Sequence, residues 1–405
     1  MMHNFDLTIV GGGMVGLALA RALEESDFRI AIIEGITPSE TLSPVADSRV
    51  SALSRASEVM LRKLGVWQEI EKYRCSDYTG MEIWEQDSFA KIEFQAEQML
   101  QQNLGHIVEN QVIQRSLLEV VKKQSNVTLF MPNRCQTMAV GESEVWMTLD
   151  DGNVLTTKLV VGADGANSWV RKQQNTPLTH WDYGHSALVA NIKVTQPHDK
   201  VARQIFTPHG PLAFLPLDEH NLCSIVWSTD PLRAENLVSM PDAEFNKVLA
   251  AEFDCRLGLC EVVTERRLFP LKMRYARDFV TERVALVGDA AHTIHPLAGQ
   301  GVNLGLLDAA SLAEELLKLW SAGKDIGRKR NLRYYERWRK AEAAQMIAVM
   351  QGFKDLFDGS HPAKKLFRGL GMSLVDKLPP MKQDIIDRAL GLKGELPQLA
   401  RESYD

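Results

Sequence analysis

The sequence has few cysteines, no excess of positive charge and no long apolar run. Its five cysteines are odd in number and scattered, so they outline no disulfide framework and favour a reducing compartment. A formal net charge of −6 argues against nucleic-acid binding, which requires a basic surface. Residues 1–6 lack the features of a signal peptide, and no stretch approaches the roughly 18 apolar residues of a membrane span. We therefore expect a folded cytoplasmic protein.

The rest of the composition is that of an ordinary soluble globular protein. Hydrophobic residues make up 45% of the 405 residues and charged residues 24%, and the length suits one large or two fused domains. The sequence has neither internal repeats nor low-complexity segments, and no cluster of residues shows the spacing of metal ligands. We expect no metal site.

The N-terminal segment has the pattern of a βαβ unit. Residues 5–10 and 29–33 are short apolar runs that favour strands, and the Ala- and Leu-rich residues 17–23 between them are typical of a helix. Two strands joined in this way run parallel and are buried on both faces. The segment therefore predicts the first two strands of a parallel sheet.

A glycine-rich turn joins the first of these strands to the helix. Gly11, Gly13 and Gly16 form a G-x-G-x-x-G motif, in which the glycines allow a sharp turn, close approach of a pyrophosphate and close helix–strand packing. The leading amides of the helix favour phosphate, and Glu34 ends the second strand, where it would accept hydrogen bonds from ribose hydroxyls. Because an acid here repels a 2′-phosphate, the motif predicts resident FAD or NAD rather than NADP. The alternative is a purely structural turn.

Two later apolar runs end in the same way as strands beside a ligand. Residues 159–161 lead into a glycine and Asp164, and residues 284–287 lead into a glycine and Asp289. We expect both runs to join the parallel sheet, although more than a hundred residues separate them.

The intervening segments predict a second, mostly antiparallel β-domain. Residues 81–84 and 91–94 flank a polar turn and indicate a hairpin. Further strands are expected over residues 187–194, 201–206, 212–217 and 222–227. Helices are expected over 303–320 and 331–357, and two short ones follow residue 362, separated by Pro379 and Pro380.

Three segments together resemble the flavin-dependent aromatic hydroxylases. They are the Gly11–Gly16 motif, the D-G segment 162–171 and the G-D segment 288–292 with its continuation Pro296, Gly299, Gln300, Gly301 and Asn303. Within that group the chain is similar to the ubiquinone-biosynthesis hydroxylases through residues 9–16, 47–53 and 105–110. Residues 181–183, 215–217, 223–227, 350–353 and 362–366 resemble the hydroxylases that act on 2-octaprenylphenol.

The resemblance implies an α/β fold: a Rossmann-like FAD-binding domain, an inserted antiparallel β-sheet substrate domain and a helical C-terminus. We expect residues 1–75, 101–180 and 276–340 to form the FAD-binding domain, 76–100 and 181–275 the substrate domain, and 341–405 the C-terminal helical region. The resemblance also implies FAD as a tightly held cofactor, NADPH or NADH as transient reductant, and O2 as co-substrate. The reaction would be hydroxylation of a polyprenylated phenol through a flavin C4a-hydroperoxide.

The resemblance also assigns residues to the site. The flavin ring and substrate would be positioned by Pro296, Gly299 and Gly301, with no acid–base residue assigned. The cofactor would be bound by Gly11, Gly13, Met14, Gly16, Glu34, Arg49, Asp164, Asp289, Gly301, Val302 and Asn303. Purely structural roles are the alternatives: Asp164 and Asp289 as turn residues, Arg49 in a surface ion pair and His292 as a packed side chain. Tyr183, His185, Arg203 and Trp227 stay open between the substrate cavity and ordinary sheet positions.

Other functions are less consistent with the sequence. Cys255 and Cys260 have the C-x4-C spacing of a flavin-linked dithiol, but they lie far from the first βαβ unit, and only one G-x-G-x-x-G motif is found. A flavin-holding scaffold without turnover, within a biosynthetic complex, is the second alternative. Residues 324–340 contain eight Lys and Arg residues and predict peripheral contact with the inner face of the cell membrane; a solvated helix face is the alternative.

Overall fold

The computed structural model describes residues 2–39, 41–86, 88, 91–294, 301–357, 391 and 394–402. The predicted site residues Pro296 and Gly299 lie outside the described residues, and so do the two short helices predicted around Pro379 and Pro380.

The described strands number twenty. In chain order they are β1 Met2–Val10, β2 Ile30–Ile33, β3 Val50–Leu53, β4 Cys75–Tyr78, β5 Gly80–Glu85, β6 Lys91–Gln95, β7 Gly105–Glu109, β8 Val127–Phe130, β9 Cys135–Val140, β10 Val145–Leu149, β11 Val154–Gly162, β12 Leu178–Val194, β13 Val201–Thr207, β14 Gly210–Pro216, β15 Leu222–Thr229, β16 Cys260–Val262, β17 Arg267–Ala276, β18 Val280–Thr281, β19 Val284–Leu286 and β20 His292–Thr293.

Nine α-helices are described. They are α1 Met14–Ala22, α2 Arg55–Lys63, α3 Trp67–Glu71, α4 Asn110–Val121, α5 Trp169–Gln173, α6 Pro231–Ser239, α7 Asp242–Glu252, α8 Gly301–Ser321 and α9 Arg333–Phe357. The predicted boundary at 340/341 falls inside α9, and the predicted domain boundaries remain predictions. In the described part of the chain, no helix is both long and apolar enough to cross a membrane.

The first sheet is built around four parallel pairings, as the βαβ pattern predicts. Its main strand order is β18-β19-β11-β1-β2-β8, with β1 parallel to both β11 and β2, and the hairpin β9-β10 pairs antiparallel with β11. Residues 159–161 and 284–286, predicted from distant parts of the sequence, therefore lie in the same sheet as the glycine motif. The carboxyl ends of β1, β11 and β19 meet at one edge, which is where such sheets bind ligands.

The second sheet has nine strands in the order β20-β17-β12-β15-β14-β13-β5-β6, with β16 beside β12. The hairpin predicted around residues 81–94 is present as β5 and β6. One pairing departs from the predicted antiparallel arrangement, because β13 lies parallel to β5. These two strands come from separate segments of the sequence, so no tight turn constrains them to run in opposite directions.

A small third sheet, β3-β7-β4, joins the two larger sheets. Its residues Ala52 and Ile107 pack in one buried apolar cluster with Ala202 and Leu215 of the second sheet. A separate core packs α1, α4 and α8 against the first sheet. The two large sheets thus meet across packed side chains, and the strand ends of the first sheet face that junction.

Candidate functional site

The glycine turn has the geometry of a phosphate site. Gly11 has a φ of +114°, and a Cβ there would lie 2.3 Å from the Ala163 carbonyl oxygen; a Cβ on Gly16 would lie 2.1 Å from the Gly11 carbonyl oxygen. A Cβ on Gly13 would lie more than 4 Å from every atom in the part of the chain that the structure describes, its chain neighbours aside. Because Gly13 is the residue before α1 and offers no side-chain cap, the leading amides of α1 are left for an external acceptor.

The carboxylate of Glu34 turns back towards this glycine segment. One oxygen accepts a hydrogen bond from the Gly12 amide at 2.7 Å and the other accepts from the Ile36 amide at 3.0 Å. On the other side of the turn, the side-chain amide of Gln114 donates to the Gly12 carbonyl at 2.8 Å. Sequence reasoning missed Gln114, because the 102 residues between the partners carry no local signal of the contact.

Asp289 projects from the G-D turn into a cleft. Gly288 has a φ of +57°, which orients the turn. The Asp289 side chain is open to solvent, yet protein surrounds it closely enough that burial raises the pKa of its carboxyl. Interactions with His292, Arg49 and Arg274 oppose that rise. A carboxylate exposed within a crowded cleft fits a position that hydrogen-bonds ligand hydroxyls.

Asp164 serves the protein with one oxygen and leaves the other unpaired. Its Oδ2 accepts hydrogen bonds from the amides of Trp169 and Val170, at 2.7 and 3.1 Å, and so caps α5. Its Oδ1 is buried and has no hydrogen-bond partner among the described residues. The turn role is therefore present, and the orphaned oxygen also fits a missing ligand.

Arg49 lies at the junction between the first sheet and the second sheet. Its guanidinium lies over the Phe269 ring, 5.5 Å from the ring centroid, and the arginine acts on the carboxyl of Asp289. Within the described residues it makes no ion pair with a carboxylate inside 4.0 Å, so the simple surface ion pair is not observed.

The start of α8 carries the predicted ring-binding residues that the structure describes. A Cβ on Gly301 would meet no atom of the described residues within 4 Å, and Val302 is half-buried. The buried Asn303 accepts a hydrogen bond from the Ser54 amide at 3.0 Å and donates to the Ala52 carbonyl at 2.8 Å. Its side chain thus fixes the beginning of α8 against β3.

A buried ionic group lies directly behind this site. Asp308 on α8 accepts from Arg339 of α9 at 2.7 Å and contacts His292 at 2.6 Å; the three side chains are at most 2% exposed. The Gly288 amide also donates to Asp308, at 3.0 Å. Interactions with His292 and Arg339 outweigh burial and hold the pKa of the Asp308 carboxyl below its usual value. His292 is therefore a packed, paired residue, and Asp308 joins the G-D turn to two helices.

One face of the second sheet presents a largely apolar surface to the junction. Adjacent positions in the strand register, half-buried except for Ala213, are Val189, Val226, Ala213, Gln204 and Ile83. This face is turned towards the loop that bears Arg49, because residues on it hydrogen-bond the backbone of that loop. Trp227 is on the opposite face, fully buried near Phe245, and does not line this surface.

The two spaced cysteines form no disulfide. Cys255 is exposed and Cys260 is buried, and both are free thiols. Burial raises the pKa of the Cys260 thiol to about 12, so this residue is not a thiolate at neutral pH. The geometry does not favour dithiol chemistry.

The groups at the strand ends fit FAD: the helix amides after Gly13 can donate to phosphate, and the carboxylates of Glu34 and Asp289 can accept from hydroxyls. A family model described as FAD binding domain matches residues 4–349. The chain is 36% identical over 388 residues to 3-demethoxyubiquinol 3-hydroxylase of Escherichia coli, covering 96% of this chain and 98% of that protein. It is 33% identical over 432 residues to the mitochondrial ubiquinone biosynthesis monooxygenase of Homo sapiens, covering 94% and 92%.

The fold is also that of a solved monooxygenase. The p-nitrophenol 4-monooxygenase of Pseudomonas putida superposes with a TM-score of 0.79 at 21% identity, over 97% of this chain and 100% of that one. The family model covers most of the chain, and two relatives above 30% identity span nearly all of it. The chain therefore belongs to the FAD-binding monooxygenases and is an FAD-dependent, NAD(P)H-consuming aromatic-ring hydroxylase.

Proposed function

We propose that this enzyme hydroxylates the ring of a polyprenylated phenol in ubiquinone biosynthesis, converting 2-octaprenylphenol to 2-octaprenyl-6-hydroxyphenol. The observation that carries the pathway is the similarity, along nearly the whole length, to two enzymes named for ubiquinone biosynthesis steps. The face of the second sheet that includes Val189, Val226 and Ile83 is consistent with binding of an apolar aromatic substrate opposite the flavin site.

FAD, reduced by NADPH or NADH, supplies the activation of O2 for transfer of one oxygen atom to the ring. The amides after Gly13 would hold its pyrophosphate, Glu34 its ribose and Asp289 its ribityl chain. The guanidinium of Arg49 would pair with negative charge on the cofactor. The leading amides of α8, from Gly301 onward, would stabilise negative charge on the reduced flavin ring. A phenol is already electron-rich, so the apolar face contributes positioning and exclusion of water rather than a proton.

The other predicted site residues are assigned to the flavin ring or to the rest of the cofactor. We propose that Pro296 and Gly299 shape the pocket over the flavin ring, together with Gly301, and that Met14, Asp164, Val302 and Asn303 complete the cofactor contacts. Substitution of each by a larger or apolar residue, followed by FAD titration, tests these roles one at a time.

A second substrate within the same pathway is supported by a specific observation. The Escherichia coli relative is named for hydroxylation of 3-demethoxyubiquinol, a different ring position from the one we propose. Purified enzyme supplied with either phenol separates the two, and so does the precursor that accumulates when the gene is deleted. Accumulation of 3-demethoxyubiquinol would move the assignment to that step.

FAD binding and turnover are tested with a matched pair of glycine variants. Gly13→Ala adds a methyl group that clashes with none of the described residues, so the chain should fold but bind FAD at least tenfold more weakly. Gly352→Ala, also in open space but in α9, is the control and should bind normally. Phenol-dependent NAD(P)H oxidation by the wild type supports an enzyme; its absence with every phenol tried would favour the scaffold.

We also propose peripheral contact with anionic lipid, and association with other enzymes of the pathway, through the basic segment 324–340. Several of its cations are engaged within the protein: Lys329 pairs with Asp278 at 3.1 Å and Arg339 is buried. Exposed cations remain at Lys324, Arg330, Arg333 and Arg337. Sedimentation with anionic vesicles should be salt-sensitive and should weaken when these are changed to Gln; no binding at low salt would contradict the membrane proposal.

A further inference from the structure

The loop that bears Arg49, here called the Arg49 loop (residues 46–49), is held through its backbone at every residue. The Ala46 carbonyl accepts from the Asn191 side chain at 2.8 Å, and the Asp47 amide donates to Glu109 at 2.7 Å. The Ser48 carbonyl accepts from the Ser224 hydroxyl at 3.3 Å, and the Arg49 carbonyl accepts from the Asn110 amide at 2.9 Å. Four consecutive residues thus have four external partners.

These partners come from two different parts of the fold. Glu109 and Asn110 are at the β7–α4 junction, whereas Asn191 of β12 and Ser224 of β15 are neighbours in the second sheet. Asn191 and Ser224 are on the same face as Val189 and Val226, which is the apolar face at the junction. The loop is therefore fixed from the cofactor side and from the substrate side at once.

The buried partners are polar side chains in places where polar groups are costly. Glu109 is 2% exposed, Asn191 is 1% exposed and Ser224 is fully buried. A buried polar side chain is retained at low cost only when it is hydrogen-bonded. The Nδ2 group of Asn191 is satisfied by the loop, whereas its Oδ1 atom has no partner among the described residues. The Asn191 amide is thus oriented by the loop carbonyl, so an apolar residue of the same branched shape would occupy the site without holding the loop.

The consequence concerns Arg49. Its side chain lies between Phe269 of the second sheet and the cleft of Asp289, on whose carboxyl it acts. A long, flexible and exposed side chain reaches one place reproducibly only when its backbone is fixed. We infer that Asn191 is a positioning residue of the substrate sheet, which through the Ala46 carbonyl holds the Arg49 loop so that the guanidinium meets the bound FAD. The inference rests on the proposed cofactor role of Arg49.

The experiment is a double-mutant cycle on FAD binding by the full-length protein stripped of flavin. Asn191→Leu keeps the branching and the number of heavy atoms of the side chain and removes the donor to Ala46, and it is measured alone and together with Arg49→Gln. Ser228→Ala is the control: Ser228 is buried on the same face of β15 and makes no hydrogen bond to the described Arg49 loop. FAD dissociation constants come from quenching of flavin fluorescence, and unfolding midpoints are recorded for every variant.

Asn191→Leu is expected to raise the FAD dissociation constant about tenfold when Arg49 is present and to add little in the Arg49→Gln background. Its effect on the unfolding midpoint should be the same in both backgrounds, which separates positioning from general destabilisation. Ser228→Ala should leave FAD binding unchanged. An equal increase in both backgrounds, or no increase in either, would overturn the inference. Because no phenol is used, the proposed substrate is tested separately by turnover.

Discussion

The buried contact between Asp308 and Arg339 makes the sharpest prediction about stability. Asp308→Asn keeps the shape of the side chain but removes its charge, and it leaves the 1%-exposed guanidinium of Arg339 without an anion. Among the described residues, the remaining hydrogen bond of that guanidinium is a long one, 3.4 Å, to the Leu304 carbonyl. Breaking a buried ion pair from one side costs about 3–5 kcal/mol, a large share of the roughly 5–15 kcal/mol that a domain has.

The assay is chemical unfolding of the flavin-free protein followed by circular dichroism. Glu69→Gln, which breaks the exposed contact with Lys72, is the control and should cost about 1 kcal/mol or less. Asp308→Asn combined with Arg339→Met should cost less than the sum of the single changes, because no unpaired charge then stays buried. If Asp308→Asn lowers the free energy of unfolding by less than about 1 kcal/mol, the reasoning is wrong, because loss of the anion should leave the Arg339 charge buried and unpaired.

The same pair predicts a dependence on pH. The folded state lowers the pKa of the Asp308 carboxyl, so the unfolded chain binds its proton first as the pH falls. The stabilising contribution is therefore complete above the ordinary carboxyl pKa of about 3.9 and is lost as the pH falls through the lowered value. The gap in stability between wild type and Asp308→Asn should shrink in that acid range and stay constant near neutrality.

Two further predictions concern the cleft and the thiols. Burial raises the pKa of the Asp289 carboxyl, so the charged carboxylate destabilises the flavin-free protein at pH values above the ordinary carboxyl pKa. Asp289→Asn should therefore raise the unfolding midpoint at pH 7 and lower FAD occupancy. Full FAD occupancy with normal turnover would contradict the role assigned to Asp289. A thiol reagent should label the exposed Cys255 before the buried Cys260 in the native protein, and Cys255→Ser with Cys260→Ser should retain phenol-dependent NAD(P)H oxidation. Loss of that activity would support the alternative in which Cys255 and Cys260 act as a redox-active dithiol.

Local patterns were sufficient for the elements that bind the dinucleotide. Strands predicted over residues 5–10 and 29–33 are present as β1 and β2, and the run at 284–287 is present as β19 beside β11. Each of these signals is contained in a short segment: an apolar run, then glycines, then an acid. Such segments dictate their own backbone geometry, because a turn that must approach a phosphate excludes most side chains.

The parallel pairing of β13 with β5 escaped prediction for the opposite reason. Ala202 pairs with Met81, and in the chain the two strands are separated by four strands of the first sheet, β8 to β11. Neither segment contains a local signal for its pairing partner or for the relative direction of the two strands. Asp308 was likewise missed as a central residue, because its partner Arg339 lies 31 positions away on another helix.

The sequence by itself determined the cofactor class, since the chemistry of Gly11, Gly13, Gly16 and Glu34 is local to one βαβ unit. Only the tertiary structure decided how the cofactor side and the substrate side are joined. The contacts of Asn191 and Ser224 with the Arg49 loop span 145 and 176 residues, and they exist only because the second sheet folds against the first. Hydrogen bonds of that range depend on the packing of the whole chain, and no pattern of neighbouring residues encodes them.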